Sequence, residues 1–155
     1  MPDAPQDPKQ FGQAVFSVLT EVGIIAQLSR HVLETRAPDG LNMPMFGVLN
    51  HLSRVSDQPT PLSLARAFQQ PKTSMTHTLS SLEKRGFVVM VPNPEDGRSK
   101  LVQMTDAGRT AREQVITALS REYGDLAEAV GQEKIAEILP VLSDIRQYFD
   151  QKRDQ

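Results

Sequence analysis

Apolar residues recur every three or four positions in the first part of the chain, which is the spacing of an amphipathic helix. The pattern predicts a helix from Pro8 to about Thr35. Its apolar members are Phe11, Val15, Val18, Leu19, Val22, Ile25, Ala26, Val32 and Leu33. Pro38 and Gly40 predict its end, because proline disfavours a helical residue before it and glycine suits a turn.

The last third of the chain repeats this helical pattern. Thr105 is a suitable capping residue for a helix that continues to about Val130, and Asp106 lies in its first turn, where the helix dipole favours negative charge. Gly131 separates this helix from a last one, whose spacing is close to a coiled-coil seam. Its apolar residues are Ile135, Ile138, Leu139, Leu142, Ile145 and Phe149. Pro140 is expected to kink or split that helix.

Shorter elements fill the middle of the chain. One helix is predicted from Pro44 to Val55, and another opens at Pro61. Its inward-facing residues are expected to be Leu62, Leu64, Ala65 and Phe68. A third helix runs from about Thr73 to Arg85 and is closed by a glycine. Residues 87–105, FVVMVPNPEDGRSKLVQMT, then place two β-prone runs around a turn, which predicts a hairpin with a basic tip.

The third of these helices has two distinct faces. Met75, Leu79 and Leu82 share one side of the helix and are predicted to be buried. The residues on the opposite side are small or polar: Thr73, Thr76, His77, Ser80 and Lys84. Such a face is slim enough to enter a DNA groove and offers donors and acceptors to base edges. An ordinary polar surface is the alternative interpretation.

Composition excludes several kinds of chemistry. Cysteine is absent, so disulfides, thiolate metal ligands and cysteine redox switches are excluded. The three histidines, His31, His51 and His77, are not spaced as a metal pair on one helix turn. The sequence also lacks a glycine-rich phosphate loop and a spacing that suggests a nucleophile with its base. We therefore expect no enzyme activity, no metal and no cofactor.

Charge is distributed unevenly. Residues 1–60 carry 4 Lys/Arg and 6 Asp/Glu, residues 61–112 carry 8 and 4, and residues 113–155 carry 5 and 9. The balances are −2, +4 and −4, in agreement with the net charge of −2. A basic middle between acidic ends favours a phosphate-facing module flanked by other structure. Chance clustering is the alternative, because +4 over this length is not extreme.

The N-terminus indicates a cytoplasmic protein without a membrane partner. It lacks the basic and apolar regions of a signal peptide, and no apolar run approaches the roughly 18 residues that span a bilayer. Pro2, Pro5 and Pro8 predict that residues 1–8 form a disordered tail.

The order of helices, recognition helix, basic hairpin and long C-terminal helices resembles the MarR family of bacterial transcriptional regulators. The likeness extends from about Phe11 to Phe149. Residues 74–88, SMTHTLSSLEKRGFV, resemble the family's recognition helix and first wing strand, and residues 94–100, PEDGRSK, resemble its Asp-x-Arg wing. The resemblance implies a mainly α fold with a small β-hairpin wing, a winged helix-turn-helix. Residues 44–105 would be the DNA-binding lobe, and residues 9–36 and 106–151 the helical dimerisation region.

The same resemblance implies roles for single residues on double-stranded DNA. Arg98 would reach the adjacent minor groove or its phosphates, oriented by a salt bridge from Asp96. The residues expected to read bases in the major groove are Thr73, Ser74, Thr76 and His77. Those expected to position the protein on phosphates are Lys72, Ser80, Lys84, Arg85, Lys100 and Arg109. His77 stands where many members have arginine, so the base preference at this position is expected to differ from that of those members.

Finally, the resemblance implies a homodimer that binds a pseudo-palindromic operator, mostly as a repressor, under the control of a small-molecule effector. The expected effector pocket involves Arg30, His31, Phe46 and His51, although His31 and His51 are equally well explained as ordinary structural histidines. A different class of function stays open, in which the winged helix binds an acidic protein partner instead of reading DNA. Comparison of specific with scrambled duplex discriminates the two.

Overall fold

The computed structural model of the protein describes residues 8–153. The predicted disordered tail lies outside these residues except for Pro8, which begins the first helix and is therefore not part of a tail. The elements are α1 (Pro8–Arg36), α2 (Met43–Leu52), α3 (Pro61–Ala67), α4 (Lys72–Lys84), β1 (Val88–Pro92), β2 (Lys100–Met104), α5 (Asp106–Val130) and α6 (Gln132–Arg153). The two strands form one antiparallel sheet, so the prediction of a mainly α winged helix is confirmed.

Side-chain caps fix the starts of α2 and α3. The backbone N–H of Met45 donates to Oδ1 of Asn42 at 3.0 Å, and that of Ser63 donates to Oγ1 of Thr60 at 3.1 Å. Each bond satisfies a donor that the first helical turn leaves without a partner. The end of α2 lies at Leu52, three residues before the predicted end at Val55.

Gly86 joins α4 to the hairpin. It has φ +72°, a conformation that favours glycine. Its N–H donates to the Glu83 carbonyl at 2.9 Å, and the Phe87 N–H donates to the Leu82 carbonyl at 3.0 Å. This pair of bonds is the Schellman ending of a helix. It directs the chain at once into β1, which pairs with β2 from Val88 opposite Met104 to Pro92 opposite Lys100.

Thr105 links the end of the hairpin to α5. Its hydroxyl donates to the Gly86 carbonyl at 2.6 Å, and its Oγ1 accepts the Gly108 N–H at 3.0 Å. The predicted cap is confirmed. The Thr105 hydroxyl therefore caps the start of α5 and also donates a hydrogen bond to the glycine that follows the end of α4.

Helix α6 runs without interruption through Pro140, so proline does not split this helix, and the alternative of a kink stays a prediction. Proline removes a single donor, the N–H that would bond to the Ala136 carbonyl, and the turns on either side continue. The break predicted at Gly131 is confirmed: this residue has φ +102° and separates α5 from α6.

The chain divides into two compact units, one ending at Ala118 and one beginning at Leu119. The core of the first unit contains the buried residues Leu33, Leu41, Met45, Val48, Leu49, Leu64, Ala65, Met75, Leu79, Leu82, Val88, Val102, Ala111 and Val115. Leu62 is 46% exposed, so its predicted inward orientation is wrong. It lies nearly opposite Leu64 on the helix, because two positions correspond to about 200° of rotation.

Large apolar side chains are exposed along α1, α5 and α6. On α1 these are Phe11, Val15, Phe16, Val18, Leu19, Val22, Ile24, Ile25 and Leu28. Within the described ranges, only Val55, Leu62 and Val89 are comparably exposed outside the three helices. By length and composition alone, residues 9–36 would be able to cross a membrane. The sequence-based expectation that nothing in the chain approaches this criterion is therefore wrong, although helices of soluble proteins also meet it.

Candidate nucleic-acid interface

Helix α4 separates its buried and exposed residues as the sequence predicts. Met75, Leu79 and Leu82 are at most 1% exposed and pack in the core. Thr73, Ser74, Thr76, His77 and Lys84 are exposed, and Ser80 is half-buried. A fixed apolar base thus supports an outward polar face, which is the arrangement that a helix inserted into a groove requires.

Two threonines of α4 donate their hydroxyl protons to the helix itself. Thr76 Oγ1 donates to the Lys72 carbonyl at 2.8 Å, and the buried Thr78 Oγ1 donates to the Ser74 carbonyl at 3.1 Å. Thr76 therefore presents an acceptor oxygen and a methyl group to its surroundings. Those groups match the amino group of cytosine or adenine and the methyl group of thymine.

An open cavity of about 490 Å³ lies between the start of α2 and the exposed face of α4. Its lining includes Asn42 and Pro44 from the α2 side and Thr73, Ser74 and His77 from α4. The His77 side chain therefore borders open space between the two helices.

The candidate phosphate-binding cations Lys72, Lys84, Arg85, Lys100 and Arg109 are all exposed. Arg109 is already engaged: its Nη2 lies 2.7 Å from Asp106 Oδ1, and its Nε donates to the same oxygen at 3.2 Å. Both side chains are largely exposed, so this ion pair is weak, and a phosphate that binds Arg109 competes with Asp106 for the guanidinium.

Asp96 and Arg98 are connected in the wing, but differently from the prediction. Oδ1 of Asp96 accepts the backbone N–H of Arg98 at 3.0 Å. Within this described part of the chain, no ion pair joins the two side chains, so the predicted salt bridge is wrong. An aspartate two residues ahead of an N–H readily forms such a turn. The carboxylate fixes the Arg98 backbone and leaves its exposed guanidinium available.

The residues expected to form an effector pocket have different surroundings. Arg30 and His31 are exposed on α1, whereas Phe46 and His51 are half-buried on α2. His51 packs edge-on against Phe68, with ring centroids 5.5 Å apart. Burial lowers the pKa of His51 from its ordinary value, and the charge of Arg54 lowers it further.

A second open cavity, of about 1090 Å³, adjoins His51. The α2–α3 loop, the start of α3 and wing residues 93–95 also line it, but Arg30, His31 and Phe46 do not. The four residues therefore do not share this cavity, and their role as a pocket stays a prediction.

Sequence reasoning missed a polar link between α2 and α5. Nε and Nη2 of Arg112 donate to Oδ1 of Asn50 at 3.1 and 3.0 Å. Sixty-two positions separate the two residues, and neither belongs to a local motif, so no pattern in the sequence indicated the contact.

Together, α3, α4 and the hairpin form a winged helix-turn-helix. Residues 39–99 match the profile of the MarR family. The chain is also 31% identical over 124 residues to the transcriptional activatory protein BadR of Rhodopseudomonas palustris, with 77% of this chain and 70% of BadR covered. The chain belongs to the MarR family, whose members are transcriptional regulators and not enzymes.

Solved structures show the same fold at lower identity. The transcriptional regulator BldR of Sulfolobus solfataricus superimposes with a TM-score of 0.70 at 18% identity, covering 84% of this chain and 96% of BldR. A cysteine-to-serine variant of E. coli MarR, solved in complex with operator DNA, gives a TM-score of 0.69 at 22% identity and covers 85% and 95% of the two chains.

Proposed function

We propose that the protein is a homodimeric, sequence-specific DNA-binding regulator that recognises a pseudo-palindromic operator. The observation that carries the proposal is the exposed face of α4, where Thr73, Ser74, Thr76 and His77 stand above buried Met75. The structural neighbour solved with operator DNA supports double-stranded DNA as the partner.

Recognition has two components. The four exposed residues of α4 read base edges in the major groove, with His77 as a donor or acceptor where many members of the MarR family carry arginine. Arg98, exposed at the wing, enters the neighbouring minor groove, where a narrow groove concentrates negative potential. Contacts to phosphates add affinity without sequence information. The residues in this positioning role are Lys72, Ser80, Lys84, Arg85, Lys100 and Arg109.

The partner in the dimer is a second copy of the chain, and the exposed apolar side chains of α1, α5 and α6 support this. Burial of such side chains stabilises association by about 25 cal/mol for each Å² removed from water. Covering α1 in this way also accounts for its apolar composition in a cytoplasmic protein. Two-fold symmetry places the half-sites about one helical turn, roughly 34–36 Å, apart.

A small-molecule effector controls operator affinity by favouring a conformer that does not span both half-sites. We expect repression as the result of operator binding, although the relatives are named in both senses: BadR as an activatory protein and MarR as a repressor. A reporter behind the upstream region of the chain's own gene gives the sign directly, by comparing expression with and without the regulator.

Fluorescence anisotropy tests DNA reading. Wild type is titrated against a duplex from its own upstream region and against a scrambled duplex, and the expected preference is about a thousandfold or more. Arg98→Ala should weaken binding to the upstream duplex. Lys134→Ala, which removes an exposed cation that is not among the residues proposed to contact DNA, is the matched control and should bind like wild type.

Equal, weak binding to both duplexes would contradict sequence-specific reading. That result would favour the alternative in which the basic face of the winged helix binds an acidic protein partner. Salt dependence does not separate the two functions, because DNA is a polyanion and an acidic protein partner also presents negative charge.

A further inference from the structure

The tip of the wing is closed by a side-chain hydrogen bond that spans it. Residues 94–98 are exposed, whereas Asn93 and Ser99 at its two ends are half-buried. Nδ2 of Asn93 donates to Oγ of Ser99 at 2.9 Å, and the backbone N–H of Asn93 donates to the Ser99 carbonyl at 3.2 Å. We call this pair of residues the wing clasp.

Further hydrogen bonds connect the wing clasp to the residues of the tip. Oδ1 of Asn93 accepts the N–H of Glu95 at 3.0 Å. On the other side, the Asp96 carbonyl accepts both the N–H of Ser99 at 2.9 Å and its hydroxyl at 3.2 Å. Oδ1 of Asp96 then holds the N–H of Arg98. The backbone is thus fixed on both sides of Arg98, although the tip itself is exposed to solvent.

We propose that the wing clasp positions Arg98 for DNA before DNA arrives. The inference rests on the proposed function, in which Arg98 enters the minor groove. A loop that is ordered in the free protein does not lose that conformational freedom on binding, so its contacts contribute more of their free energy to affinity. Asn93 and Ser99 act here as positioning residues and need no contact with DNA.

The first test measures backbone order in the free protein by NMR. The amide order parameters of residues 95–98 should be near the rigid value of about 0.85 in wild type and fall toward about 0.6 in Asn93→Ala. Ser99→Ala should show the same loss, and Ser99→Thr, which retains the hydroxyl, should restore the order. Unchanged order parameters in Asn93→Ala and Ser99→Ala would overturn the proposal without any DNA measurement.

The second test is a double-mutant cycle on the upstream duplex. Asn93→Ala should weaken binding about three- to tenfold, the equivalent of ordering one or two groups on binding. In an Arg98→Ala background, Asn93→Ala should have no further effect, because no guanidinium remains to be positioned. The slope of affinity against salt should be flattened by Arg98→Ala but not by Asn93→Ala, which removes no phosphate contact.

A general loss of stability is controlled by Ser53→Ala. This change deletes a hydroxyl that donates to the Asn50 carbonyl at 2.8 Å, outside the wing, and DNA affinity should not change. If Asn93→Ala weakens binding equally with and without Arg98, the clasp does not act through Arg98 and the proposal is overturned.

The failure of the proposed function has a different signature. Equal, weak binding of wild type to the upstream and scrambled duplexes would overturn the proposed function, and the wing clasp with it. If wild type prefers the upstream duplex but Arg98→Ala binds it equally tightly, the role of Arg98 and the wing clasp are overturned, while reading by α4 stands. If Arg98→Ala weakens binding and Asn93→Ala does not, only the wing clasp is overturned.

Discussion

The Cα of Gly108 lies against the carbonyl oxygen of Phe87, and a Cβ added at position 108 would overlap that oxygen. The same carbonyl accepts the N–H of Thr105 at 3.1 Å. The first turn of α5 therefore packs directly on the backbone that leads into the wing. The φ of Gly108 is not in the left-handed region. Glycine is therefore required here by the close approach of the Phe87 carbonyl, and not by the backbone conformation.

Gly108→Ala should destabilise the protein by about 2 kcal/mol or more, because the backbone at Phe87 must move to accept the methyl group. Gly97→Ala is the control, since a Cβ there would meet no atom within 4 Å. It should be neutral or stabilise by up to about 1 kcal/mol through the unfolded state. Urea unfolding of both variants checks the difference, and equal midpoints would contradict the packing described here.

Gln69 has φ +51° in the turn between α3 and α4, and no other non-glycine residue among residues 8–153 has a positive φ. A left-handed residue with a side chain costs roughly 1–2 kcal/mol, while glycine adds about 0.5–1 kcal/mol of unfolded-state entropy. Gln69→Gly should therefore leave stability equal or raise it by about 1 kcal/mol. Gln70→Gly, which relieves no positive φ, should lower it. Thermal unfolding of the pair measures the contrast, and a similar loss in both would argue against strain at Gln69.

The lowered pKa of His51 predicts a pH-dependent stability. Folding favours the neutral ring, so the unfolded chain binds more protons once the pH falls below its ordinary pKa of 6.5. The contribution of His51 to the free energy of unfolding should be complete above that pKa and decrease as the pH falls toward the lowered pKa of the folded state. Denaturant midpoints between about pH 8 and pH 5 should decrease less in His51→Gln than in wild type. Arg54→Ala should reduce the effect in part, and parallel curves for wild type and His51→Gln would refute the assignment.

Ile25 is 60% exposed on α1, and in the proposed dimer it is covered by the second chain. Ile25→Glu should raise the dissociation constant of the dimer by about a hundredfold, because burying an unpaired carboxylate costs several kcal/mol. Gln27→Glu adds the same charge at an exposed polar position of the same helix and should leave the dimer intact. Sedimentation velocity over a dilution series distinguishes them. A wild-type monomer at every concentration would reject the dimer.

Local patterns predicted much of this fold. The two faces of α4 follow from helical spacing, which brings Met75, Leu79 and Leu82 to one side. Gly86 and Thr105 were recognisable because ending and capping a helix need particular residue types at particular places. The faces of α4, its ending at Gly86 and the cap at Thr105 all depend on residues within a few positions of one another, and such residues can be compared directly in a sequence.

The errors have the opposite character. The orientation of Leu62 depends on which side of a seven-residue helix meets the core, and a short helix carries too few apolar positions to decide this. Asp96 was assigned to the Arg98 guanidinium, whereas the tight turn brings its backbone N–H closer. The contact between Asn50 and Arg112 appears only once α2 and α5 have packed.

The N–H of Val102 in β2 donates to the carbonyl of Pro59 at 2.9 Å, one residue before the cap of α3. This hydrogen bond joins β2 of the wing to the residue that precedes the cap of α3, in addition to the covalent chain at either end of the hairpin. We therefore expect α4 and Arg98 to engage or leave their grooves together, because this hydrogen bond joins the hairpin to the start of the helix-turn-helix. An effector acting on such a lobe would work as a switch with two positions, and partial occupancy of the operator would reflect a mixture of bound and released molecules.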